Sequence, residues 1–161
     1  MFVQAEEGLS LRVIGPNELA VFIKDQRLDI AAYFLTEARR TVPAAADKST
    51  GFLLDHLPQV LEAMGRFIEE RGSEEAQKRA VILAQKHAHE RLQKRDYTAG
   101  QIQKEYAIVR EAIIALIGTD VVFDKESLNL FAHISELTLA VVIETFLNSK
   151  SVKRSPEDQG L

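Results

Sequence analysis

A chain of 161 residues, 46% hydrophobic and 27% charged, is long enough for one well-buried core and too short for two independent domains, and its composition argues against global disorder. The formal net charge is −4, with Lys and Arg spread throughout, so no basic stripe offers itself to a phosphate backbone and no nucleic-acid partner is expected. The absence of cysteine excludes disulfides, thiolate ligands and thiol nucleophiles and fits a cytoplasmic location.

Residues 1–16 read as an N-terminal arm, either a short strand or a frayed lead; "MFVQAEEGLSLRV" lacks the basic-then-apolar pattern of a secretory signal. The stretch from 17 to 148 reads as a bundle of about five helices, for which a globin-like arrangement is one form. The first helix opens with Asn17 as N-cap after Pro16 and carries Leu19, Phe22, Ile23, Ile30, Tyr33, Phe34 and Ala38 on one face. Pro43 and the small residues after it end that helix. A turn at Phe52–Leu54 precedes a second helix starting near Leu57, because Pro58 is tolerated only in a first turn. Leu57, Leu61, Met64, Phe67 and Ile68 form its apolar stripe, and Gly72 stops it.

The third helix starts with Ser73 and two glutamates and ends at Lys94 and Arg95, in keeping with its dipole. The fourth runs from a Thr98 cap to Gly118, and the last opens at Asp124. No uninterrupted apolar run approaches about 18 residues, so no membrane span is expected. Residues 149–161 read as a disordered tail or a linker to an output module. The last helix has two apolar stripes. Leu130, Ile134, Leu137 and Val141 lie nearly opposite Leu128, Phe131, Leu139, Val142 and Phe146, so the helix is either central in the bundle or uses the Leu130–Val141 stripe in a homodimer.

"HAHERLQKRDYTAGQIQKEYAIVREAI" concentrates the chemistry. Ala76, Ala80, Ala84, His87 and Arg91 share one face of the third helix; Glu105 and Val109 share one face of the fourth, with Tyr106 and Arg110 beside it. The short "RDYT" loop makes the two helices antiparallel neighbours, so His87, Arg91, Glu105, Tyr106 and Arg110 should meet at one end of the bundle. One reading is structural: Glu105 pairs with Arg91 or Arg110, Tyr106 caps the group, and the layer fixes helix register. The other is functional: the cluster lines a ligand pocket or forms a two-state element. His89 falls off the stripe and is expected in solvent.

"LLDHLPQVLEAM", "HAHER" and "KEYAIVREAII" together resemble the helical N-terminal domain of the RsbRD type, the family of RsbT co-antagonists in bacterial stress signalling that also heads many sensor histidine kinases. The resemblance covers about residues 17 to 147. It rests on Asp55, His56, Leu57 and Pro58, on His87 and Arg91, and on Glu105, Tyr106, Val109 and Arg110. "KRDY" departs from the family, which often has a glycine after that helix. The resemblance implies a non-catalytic sensory or regulatory input domain that dimerises and passes a signal to an output module in cis or in trans, as in two-component systems.

Other chemistries find less support. His133 precedes Ser135-Glu136-Leu137, so the position of a phosphoacceptor just before Glu-Leu is taken by serine, and His133 reads as a half-buried structural residue. Haem through His87 is the one cofactor alternative; no metal ligand set is expected, because no His-x-x-His or Glu-x-x-His pair presents two ligands on one helical face. The serines lack a G-x-S-x-G context and no carboxylate pair stands apart, so no hydrolase is expected.

Overall fold

The computed structural model describes residues 2–4 and 10–153, with side chains from 10 to 149. The helices are α1 (Pro16–Asp25), α2 (Arg27–Thr41), the single turn α3 (Thr50–Leu53), α4 (Leu57–Glu69), α5 (Glu74–Leu92), α6 (Ala99–Ile117) and α7 (Lys125–Lys153). The strands are β1 (Phe2–Gln4), β2 (Ser10–Ile14) and β3 (Val121–Phe123). The fold is an all-α bundle with a small sheet at one end.

Capping chemistry sets most of the boundaries. Ser73 and Thr98 accept the amide hydrogens of Ala76 and Gln101 at 3.2 Å each, and Ser49 does the same for Phe52 at 3.1 Å. Asp124 caps α7 through the Ser127 amide at 2.7 Å. α6 stops at Gly118, whose φ of 92° suits a residue without a Cβ. At the end of α4 the φ of 69° at Gly72 follows a left-handed Arg71 (φ 53°), which hydrogen bonds to Glu126 and Asn17 hold in place. Asn17 therefore does not cap α1. Gly15 is the N-cap, and Pro16 supplies the preset φ of the first turn.

The first expected helix is two. At Gln26 the backbone leaves helical geometry (φ −97°, ψ 14°), so α1 packs on α4 while α2 turns to pack on α6. α5 lies against α4 and α7 along Ala76, Ala80, Ala84 and Ala88, whose small side chains permit close approach. Phe67, Leu19, Ile23, Ile30, Ile68, Ile102, Ile113 and Ile134 fill the core. Each such side chain withdrawn from water contributes roughly 1.5–3 kcal/mol.

The N-terminal lead forms sheet. β2 pairs parallel with β3, Arg12 to Val121 through Ile14 to Phe123, and antiparallel with β1. Ile14 is buried, and its carbonyl accepts from the Asp124 amide at 2.9 Å. The arm is thereby tied to the start of α7.

α7 departs from expectation in two ways. It continues through Ser149 to Lys153, into the stretch expected as a disordered tail or a linker to an output module; residues 154–161 lie outside the described residues. Between Lys125 and Ser149 it is long enough, and has an 18-residue window of mean hydropathy 1.6, to suffice on length and composition alone for a membrane span, although His133 and Glu136 interrupt any unbroken apolar run. One side of it is covered by the bundle. Ile134 and Val141 of one stripe and Phe131 and Val142 of the other are buried, with Leu130, Leu137 and Leu139 half-buried, so both stripes contribute to the chain's own core. The large apolar side chains that α7 leaves exposed are Leu128, Ile143 and Leu147.

Candidate functional site

Arg91 sits in the last turn of α5 and Glu105 in the second turn of α6, and the loop between the helices lays them side by side. Both are 1% exposed. The Arg91 guanidinium is satisfied on all three nitrogens: Nε donates to Glu105 Oε1 at 3.0 Å, Nη1 to the Phe52 carbonyl at 3.3 Å and Nη2 to the Leu53 carbonyl at 3.1 Å. Those carbonyls belong to the end of α3, where helical partners run out. The flat guanidinium face lies 4.2 Å from the centroid of the Phe52 ring. Tyr97 Oη donates to the second Glu105 oxygen at 3.1 Å, so both carboxylate oxygens are engaged.

His87, one helical turn before Arg91, completes the layer. Its Nε2 stands 3.6 Å from Glu105 Oε1, and its ring meets those of His56 and Tyr106 edge-on at 5.5 and 5.4 Å. Burial drives the His87 imidazole below its ordinary value, the Glu105 carboxylate opposing and the Arg91 charge assisting, so His87 is neutral. Burial works against the Glu105 charge, but its contacts to His87 and to the Arg91 guanidinium outweigh that and hold the carboxyl below the usual range. Burial, then the Glu105 charge, push both tyrosines above their ordinary value, which keeps Tyr97 a donor.

Of the residues expected to converge, His87, Arg91 and Glu105 do so. Tyr106 is buried beside them but does not cap the carboxylate; its hydroxyl and His87 Nδ1 are buried without a hydrogen-bond partner. Both residues line a cavity of about 20 Å³ with Phe34, Leu53, Leu57, Val60, Glu105 and Val109. That volume suits a single water molecule and is far below what a haem needs. Arg110 is half-buried on the neighbouring face and takes no part in the hydrogen bonds of the layer. With Arg91 engaged at every nitrogen, the layer presents no open guanidinium fork for an anionic ligand. His89 is exposed as expected; His133 is more exposed than expected and packs edge-on against Phe67 at 5.3 Å.

Sequence reasoning missed the carboxylate's true cap, Tyr97, since an aromatic residue in a six-residue loop has no periodicity to mark its direction. It also missed a second constellation. His56, the N-cap of α4, contacts the Glu90 carboxylate on α5 and lies 3.4 Å from that of Asp55. The hydrogen bond from His56 keeps the Glu90 carboxyl below its ordinary value. These three groups are the ones among the described residues placed as a metal-ligand set. They come from two elements, so a search for ligand pairs along one helix could not assemble them.

No protein-family model, curated protein or solved structure matches this chain.

Proposed function

We propose that this chain is a cytoplasmic, non-catalytic input domain of the RsbRD type, from a sensor histidine kinase or stress-response regulator, which dimerises and passes a signal to an output module through its last helix. The buried layer of Arg91, Glu105, Tyr97 and His87 is the observation that carries this reading. It joins α3, α5, α6 and the intervening loop through charge-assisted hydrogen bonds. Such a layer resists gradual deformation and favours discrete arrangements, because each bond broken in a low-dielectric interior is costly. His87 Nδ1 and Tyr106 Oη, which have no protein partner among the described residues, border the water-sized cavity beside the layer. α7 is the element suited to relay: it packs on α5 and α6 and extends along an exposed face bearing Ile143 and Leu147.

The test is a chimera. The full chain is joined, with α7 continuous, to the dimerisation and catalytic core of a sensor histidine kinase, and autophosphorylation is compared between wild type, Arg91→Lys and Tyr106→Phe. The reading expects kinase output to shift with the state of the layer and with one-residue insertions that rotate the junction. Output indifferent to both, in proteins that remain folded, overturns it.

A further inference from the structure

Three potential ligands lie on the outer side of the turn that Arg91 holds from within. One oxygen from each of the Asp55 and Glu90 carboxylates and one ring nitrogen of His56 all fall within 4.8 Å of one another. Ligands that each bond one small cation at about 2.0–2.2 Å stand no more than about 4.4 Å apart, so small side-chain rotations that part the His56–Glu90 contact bring all three onto one ion. The Asp55 and Glu90 side chains are 59% and 37% exposed while that of His56 is 11% exposed, so an ion can enter from solvent, retain water ligands and still be anchored by a fixed imidazole. His56 is fixed by its place at the start of α4 and by the edge-on His87 ring behind it. The two carboxylates with a neutral imidazole balance a dication, and the nitrogen donor selects a first-row transition metal over magnesium or calcium.

We propose that Asp55, His56 and Glu90 bind a divalent transition-metal ion, with Zn²⁺ as the probe. The ion cross-links the α3–α4 turn to the end of α5 from outside, while Arg91, adjacent to Glu90, holds the carbonyls of Phe52 and Leu53 in the same region from inside. Only the consequence, that the ion is a signal sensed by the domain, rests on the input-domain reading; binding itself does not.

The experiment is calorimetric titration of the full chain, freed of metal by chelation, with Zn²⁺, and a parallel Co²⁺ titration followed by visible absorption. One equivalent should bind, with a Co²⁺ spectrum reporting one imidazole nitrogen among oxygen donors. His56→Gln and Glu90→Gln should each weaken binding by more than about tenfold with unchanged circular dichroism, while His89→Gln and His133→Gln leave it intact. No saturable binding, or affinity unchanged in His56→Gln and Glu90→Gln, overturns the proposal and leaves the cluster as an imidazole–carboxylate pair. Zn²⁺ that binds through these residues without slowing hydrogen exchange in residues 50–57 upholds the site and counts against its service as a signal.

Discussion

Arg91 is among the largest side chains this fold buries completely, and a charge so placed is tolerable only because each nitrogen has an acceptor. Arg91→Ala strands Glu105 and two carbonyls, and urea denaturation should report a loss of about 3–5 kcal/mol. Arg91→Lys should recover only part of it, since a single ammonium cannot reach acceptors spread around a planar fork. The two tyrosines beside the layer separate by the same logic. Tyr97→Phe removes a hydrogen bond to a charged carboxylate and should cost roughly 1.5–3 kcal/mol. Tyr106→Phe removes a hydroxyl with no protein partner among the described residues and should cost less than Tyr97→Phe in the same denaturation series.

At the scale of the element, α7 has two different faces. Ile134 is 1% exposed, and Ile134→Ala should cost about 2–5 kcal/mol in denaturant, as cavity formation in a packed core does. A glutamate at Val141, buried against the chain's own helices, should unfold the protein instead of testing its assembly. Ile143 and Leu147 are 46% and 57% exposed, one helical turn apart. If the domain dimerises through the exposed side of α7, Ile143→Glu with Leu147→Glu should leave circular dichroism unchanged and convert a dimer to a monomer in sedimentation equilibrium. A wild-type chain that sediments as a monomer at all concentrations removes the dimer from the proposal.

For the whole molecule, acid acts on the layer in one direction. His87 titrates below its ordinary 6.5 in the fold, so the unfolded chain takes up its proton first and stability falls as pH drops below 6.5. Glu105 also titrates below its ordinary 4.5, so its contribution is complete above 4.5 and is lost as pH falls further. Thermal melting across this range should show stability declining in two stages, and His87→Gln should flatten the first and reduce the second, since the His87 contact helps to hold the Glu105 carboxyl down. A melting temperature that rises on acidification from neutrality would contradict the neutral, buried His87.

The periodicity of the sequence was enough to place the long helices and much of their buried faces, because a 3.6-residue repeat and a capping side chain are local facts. Ser73, Thr98 and Gly118 act where the sequence put them. The meeting of His87, Arg91 and Glu105 was legible for the same reason: a short loop between two periodic helices leaves their facing stripes one way to pair. Tertiary structure decided the rest. The break at Gln26 exists because α1 and α2 serve different neighbours, and β3 exists because Ile14 needed a parallel partner; three residues reading "VVF" announce neither. How much of each α7 stripe faced the core, that Tyr97 and not Tyr106 reached the carboxylate, and that Asp55 and His56 found Glu90 all depended on rotations and long-range packing. A helical repeat specifies which residues travel together. It does not specify how far around a doubly apolar helix the remainder of the chain will reach.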